Sequence, residues 1–218
     1  FPNTKWKKNN LGRGWVLGET LITGIGQGYI QSTPLQLCMM TAQIANGGYA
    51  IKPKIIVDSN PISYEDAKQS MESGLLFDSD SETLLDKRLF KNQKNIQIIQ
   101  EAMFASTNER FGTSYKSRID DPKYQFAGKT GTAQVKRISK RERELDLELE
   151  QIPYKDRDHA LYVAYGPYVN PRYALSIIVE HGGSGSKAAA PIAKKLFKLI
   201  IDRHDLRNKQ SNFERITV

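Results

Sequence analysis

Apolar positions along this chain change their spacing about half-way. Leu35, Leu37, Cys38, Met39, Ala42, Ile44 and Ala45 cover much of a helical surface, and a helix so thoroughly covered is expected to be buried. Ser32 or Thr33 can cap it, Pro34 suits a first turn that needs no backbone donor, and Asn46-Gly47-Gly48 supplies left-handed residues to end it. A second helix is predicted over Asn95–Asn108, where Ile96, Ile99, Met103 and Phe104 recur at helical spacings. The period then shortens. Tyr124–Ala127 and Thr132–Val135 flank Gly128-Lys129-Thr130-Gly131 and read with it as one strand. Leu161–Tyr165 and Tyr173–Glu180 are two more, joined by the turn-rich Gly166-Pro167-Tyr168-Val169-Asn170-Pro171. Ile192, Leu196, Leu199 and Ile200 mark a final amphipathic helix over Ala188–Asp202.

Between these elements the chain is polar. Residues 1–20, rich in Lys, Asn and Gly, are expected to form a loop, and residues 58–90 an irregular surface. Tyr49–Val57 reads as extended, with Pro53 favouring an edge. Lys136–Asp158, dense in both charges, reads as a solvated helix or a mobile connection, and the last 15 or so residues as a fraying tail. Helices, three strands and a closing helix together predict an α/β (α+β) fold. Its antiparallel sheet carries helices on both faces, over one domain spanning 1–204 with a polar tail at 205–218.

Composition narrows the chemistry. A chain of 218 residues with 39% apolar and 26% charged residues can bury a real core. No run approaches the roughly 18 apolar residues needed to cross a bilayer. The start, Phe1-Pro2-Asn3-Thr4-Lys5, has neither an initiator Met nor an apolar signal core, so the chain is expected to begin inside a longer polypeptide. The single Cys38 excludes an internal disulfide and reads as a buried, inert thiol. A net charge of +8 suggests an acidic partner. Nucleic acid is disfavoured, because the basic residues alternate with acids, as in Arg141-Glu142-Arg143-Glu144, and form no basic–aromatic stripe. His159, His181 and His204 lack metal-ligand spacing, and no metal is expected; His181 alone is read as a possible border of a cleft.

Lys129-Thr130-Gly131-Thr132 is the most informative tetrapeptide. On a strand edging a cleft, Lys129 offers a cation to a substrate carboxylate and can assist proton transfer. The Thr130 and Thr132 hydroxyls can donate to the same carboxylate, Gly131 leaves room for an acyl group, and the Thr132 N–H can serve an oxyanion hole. Lys-Thr-Gly is also the third motif of the serine penicillin-recognising enzymes. The string Phe126-Ala127-Gly128-Lys129-Thr130-Gly131-Thr132-Ala133-Gln134-Val135 resembles the third-motif strand of class B penicillin-binding proteins.

Three further segments, in order, resemble the penicillin-binding protein 2 branch. Trp15-Val16-Leu17-Gly18-Glu19-Thr20-Leu21-Ile22 leads into Gly24-Ile25-Gly26-Gln27-Gly28-Tyr29 and Thr33-Pro34-Leu35-Gln36-Leu37. Asp158-His159-Ala160-Leu161 precedes Ala164-Tyr165-Gly166-Pro167-Tyr168. Val179-Glu180-His181-Gly182-Gly183-Ser184-Gly185 comes last. The resemblance spans roughly residues 2–203 and implies a fold of the serine β-lactamase and DD-transpeptidase kind, cut short at its N-terminal side. It implies a peptidoglycan DD-transpeptidase that cross-links stem peptides in cell elongation, binds β-lactam antibiotics and needs no cofactor. It implies substrate binding along Lys129, Thr130, Gly131, Thr132, Ala133 and Gln134. It further implies elongation-machinery partners and a place at the periplasmic face of the inner membrane, held by an N-terminal anchor outside this chain.

The nucleophile is missing from this pattern. In the family, Ser-x-x-Lys and Ser-x-Asn/Asp precede the glycine segment, yet residues 1–23 contain no serine. The catalytic serine is therefore expected upstream, and this chain alone is expected to be inactive and either poorly soluble or of low stability. Two strings imitate the lost motifs. Ser184-Gly185-Ser186-Lys187 lies in a glycine loop rather than opening a buried helix, and Ser106-Thr107-Asn108 falls at a helix end, where polar residues are ordinary. The glycine series 24–28 has no Gly-Lys-Ser/Thr to complete a nucleotide loop and reads as a close-packed turn. The alternative function is a non-catalytic module holding a peptidoglycan peptide or partner in the same cleft. The stretch 137–158 offers a partner contact.

Overall fold

The computed structural model describes residues 2–51, 53, 88–136 and 147–216. The readings for 58–87 and 137–146 fall outside the described residues.

The opening twenty residues are two short helices, not a loop. Asn3 caps α1 (Thr4–Leu11), its side chain accepting from the Trp6 N–H at 2.9 Å, and Gly12 ends it at φ 65°. In α2 (Leu17–Gly24), Glu19 reaches back to the Val16 N–H at 2.9 Å. The 5%-exposed Lys7 joins the two, donating to Glu19 and to the Gly14 carbonyl. Five of the eight residues are Lys or Asn and the helix carries no apolar period, so these local bonds explain α1.

Helix α3 (Pro34–Ala45) begins as its sequence demands, with Thr33 and Gln36 exchanging a capping box. It is less buried than its composition implies. Thr41 and Ile44 are buried, whereas Leu35 and Met40 remain exposed, because only one face meets the sheet. Helix α4 (Gln93–Asn108) packs beside it, and the Gln100 amide caps the Ile44 carbonyl at 2.7 Å.

Strands β1 (Ala127–Ala133), β2 (His159–Gly166) and β3 (Tyr173–Val179) form an antiparallel sheet in that order. Lys129 sits opposite Val163, Thr130 opposite Tyr162 and Thr132 opposite Ala160. One face, through Ala127, Val163, Tyr165 and Ala174, packs on α3 and α4 by way of Ile44 and Met103. The other carries Tyr162 and Ala164, with Phe126 beside them at the entry to β1. It receives α5 (Ala190–Ile216) through Ala190, Ala193, Phe197 and Ile201. The alanines let α5 approach closely enough for Phe197 to stack on Phe126, centroids 4.8 Å apart. A fully buried side chain of this size contributes about 2–3 kcal/mol by removal from water.

A π-turn, Gly185–Ala189, leads into α5, which continues past Asp202, where the apolar pattern ends, to Ile216. Among the described residues no helix is long and apolar enough to cross a membrane.

Candidate active site

β1 is an edge strand among the described residues, and its outer edge is treated in a regular way. The carbonyls of Phe126, Gly128, Thr130 and Thr132, at alternate positions, each accept from a side chain. Asn108 Nδ2 reaches Phe126 at 3.0 Å, Thr107 Oγ1 reaches Gly128 at 3.4 Å, Lys129 Nζ reaches Thr130 at 2.9 Å and Gln27 Nε2 reaches Thr132 at 2.8 Å. The carbonyl and N–H of one strand residue leave on the same side, so the Thr132 N–H also faces this edge. Unpaired edges invite foreign strands, and these side chains occupy the edge instead.

The Lys129 ammonium lies 3.2 Å from Thr130 Oγ1, which lies 3.2 Å from Thr113 Oγ1, itself 3.3 Å from Ser106 Oγ. Lys129, Thr132 and Gln134 are exposed, and Thr130, Gly131 and Ala133 half-buried. A Cβ on Gly131 would meet Leu161 Cβ at 3.3 Å, and one on Gly185 would meet the Gly131 carbonyl at 2.8 Å. The π-turn thus lies close against the backbone of the motif.

Gln27 arrives from the glycine segment. After α2 the chain turns through Gly26 at φ 77° and Gly28 at φ 78°, conformations that suit glycine. This projects Gln27 onto a residue 105 positions away.

Residues 2–198 match the penicillin binding protein transpeptidase domain. The chain belongs to that family.

It is similar to the peptidoglycan D,D-transpeptidase MrdA of Salmonella typhimurium, 30% identical over 93% of this chain and 30% of that protein. Among solved structures it resembles Pseudomonas aeruginosa PBP2 in complex with WCK 5153, with a TM-score of 0.67 and 33% identity over 91% of this chain and 37% of that one. Helicobacter pylori PBP2, in its complex with MreC, gives a TM-score of 0.65 and 33% identity over 91% and 31% of the two chains. The chain thus spans about 30% of the length of the curated relatives it matches.

Within this transpeptidase domain the two imitations of lost motifs have other work. Thr107 and Asn108 hold the β1 edge, and Thr107 also bonds the Tyr162 hydroxyl at 2.8 Å, with Ser114 3.1 Å from the same oxygen. Burial and these two hydroxyl bonds act oppositely on the Tyr162 phenol; burial dominates and raises its pKa. Ser184 Oγ lies 2.9 Å from Ser186 Oγ in the turn before α5. His159 Nδ1 accepts the His181 N–H at 2.9 Å, and His181, at φ 55°, places its Nδ1 3.0 Å from the Arg157 carbonyl. These histidines brace the entry to β2, and among the described residues no three His, Cys, Asp or Glu side chains gather as metal ligands. Cys38 is half-buried, its Sγ 3.5 Å from the Ala174 carbonyl, and burial pushes its thiol up.

The sequence reading missed Thr107, Asn108 and Thr113. The available signal was Ser106-Thr107-Asn108 itself: three consecutive hydroxyl and amide side chains ending an amphipathic helix, more than one cap requires.

Proposed function

We propose that the protein containing this chain is a peptidoglycan D,D-transpeptidase. The observation that carries this reading is the edge of β1, where the Lys129 ammonium, the Thr130 hydroxyl and the Thr132 N–H lie within four residues of one strand. The MrdA likeness supports it. Lys129, Thr130 and Thr132 receive the terminal carboxylate of a stem peptide, which extends along Gly131, Ala133 and Gln134. A serine, none of those described, adds its Oγ to the penultimate D-Ala carbonyl, and the oxyanion so formed is met by the Thr132 N–H. The C–N bond breaks and the leaving D-Ala amine takes up the proton the serine gave up. An acceptor amine from a neighbouring stem then attacks the ester, the C–O bond to serine breaks, and the amine's proton returns to the serine oxygen.

A β-lactam follows the first half of that path and stays bound as the acyl-enzyme. The reading extends to the elongation machinery, since a relative of this fold has been solved with MreC. It extends also to the periplasmic face of the inner membrane, where the peptidoglycan substrate is built.

The test is acylation of the full-length protein by a fluorescent penicillin, read by intact mass. A stoichiometric adduct is expected, and Lys129→Ala should form it at least about a hundredfold more slowly. Reversible binding with no adduct would support the non-catalytic module instead. An unchanged rate in Lys129→Ala would remove the assigned roles.

A further inference from the structure

Behind Thr130, on the side of Thr113, lies a pocket of about 830 Å³ between the 110–117 loop and the start of α5. Its walls carry Arg110, Lys116, Lys187, Lys194, Lys195 and Lys198, and no acidic side chain. None of the six lies within ion-pair distance of a carboxylate among the described residues. Lys198 has an acidic neighbour acting on it, Asp202, whose carboxylate is already engaged by Tyr124 and Lys123. Like charges brought together without a counter-ion repel one another, and a ligand of opposite sign relieves that repulsion. Ser186 and Pro191 bring the π-turn and the first turn of α5 into the same wall, and the positive end of the helix dipole adds to the field.

We propose that this pocket binds a small polyanion of the phosphate class, at a site separate from the outer edge of β1. The choice of phosphate follows from the side chains. Five of the six cations are lysines, compact point charges on flexible stems that can gather around a tetrahedral oxyanion. Paired arginine forks, which suit a planar carboxylate, are absent from the described lining. The pocket is also wide enough for more than one phosphoryl group.

The experiment titrates inorganic pyrophosphate, and separately propane tricarboxylate, into the full-length protein by calorimetry at low and high salt. Pyrophosphate binding is expected, weakening by about tenfold or more as salt screens the pocket. The double variant Lys116→Gln/Lys195→Gln, one exposed residue from each wall, should lose most of the affinity while fluorescent-penicillin acylation stays within about twofold of wild type. Retained acylation reports that the variant is folded, and the charge reversal Lys116→Glu/Lys195→Glu should abolish binding under the same control. Equal affinity in wild type and both variants would overturn the site. So would tighter binding of the tricarboxylate, or competition between pyrophosphate and fluorescent penicillin, which would move the anion to the edge of β1. Failure of pyrophosphate to bind the intact protein at low salt would end the proposal without touching the transpeptidase reading.

Discussion

Gln27 and Thr132 lie 105 residues apart and are joined by one hydrogen bond of 2.8 Å, from the side-chain amide to the strand carbonyl. The bond fixes the peptide unit whose neighbouring N–H is the proposed oxyanion donor. Gln27→Ala removes the clamp and leaves the fold untouched, since Gln27 is half-buried in a surface turn. A neutral hydrogen bond of this kind contributes about 1 kcal/mol, so acylation of the full-length protein by fluorescent penicillin should slow about fivefold. Gln27→Glu should be worse than Ala, because a carboxylate facing a carbonyl repels it. Rates equal to wild type in both variants would mean the clamp is decorative.

Thr113 stands in the same relation to Thr130. Thr130 Oγ1 has one proton to give, and Lys129 already donates to that oxygen. If Thr113 donates to it as well, the Thr130 proton is left for a substrate carboxylate. Thr113→Val keeps the shape and removes the donor, and should weaken saturation by carboxylated β-lactams about fivefold with little change in the limiting acylation rate. Thr113→Ser should restore it. The concentration dependence of acylation separates the two parameters; a loss confined to the limiting rate would contradict this role.

Gly128 is required by Tyr162. A Cβ there would stand 2.4 Å from the Tyr162 hydroxyl and 2.5 Å from its ring, both fixed by burial and by Thr107 and Ser114. The clash has no flexible end to move. Gly128→Ala should destabilise the full-length protein by about 2–3 kcal/mol, the range of core overpacking, seen as a lower Tm. An unchanged Tm would mean that Tyr162 can leave its hydroxyl partners freely.

Long-period elements were legible in the sequence and short-range contacts were not. The capping box at Thr33, the helix around Ile96 and Met103, and all three strands follow from apolar spacing and turn chemistry. Helix α1 does not, because Asn3, Lys7 and Gly12 act by individual hydrogen bonds that leave no period. The tetrapeptide Lys129–Thr132 was visible as residue types at a spacing. Its bracing by Thr107, Asn108 and Gln27 was not, since those contacts are made across the fold and depend on how α4 and the glycine turn approach β1.

Tyr165 and Ser176 present buried hydroxyls with no partner among the described residues. Burial, followed by the neighbouring Tyr168, pushes the Tyr165 phenol well above its ordinary value, as expected of a hydroxyl that gains nothing by ionising. Tyr165→Phe removes an unsatisfied polar group while keeping the ring against Ile44 and Met103. The change should be neutral or should stabilise by about 1 kcal/mol. A drop in Tm beyond that size would reveal a partner for the hydroxyl in the intact protein.

The middle of α5 is pinned to the segment before β1 through charge. Lys123 bridges Asp202 at 3.0 Å and Asp205 at 3.0 Å, and Tyr124 donates to Asp202. The Tyr124 hydroxyl, then Lys123, hold the Asp202 carboxyl below its usual range, and Lys123 does the same for Asp205. Carboxyls whose folded pKa is depressed contribute stability that is complete above their unfolded value, about pH 4, and is lost as pH falls through the folded value. Acid therefore weakens this junction only below about pH 4. Lys123→Met removes the cation and should flatten that part of the pH–Tm curve while leaving the neutral region nearly level, because exposed pairs contribute little there. An identical acid limb in wild type and Lys123→Met would show that the three side chains meet without stabilising the fold.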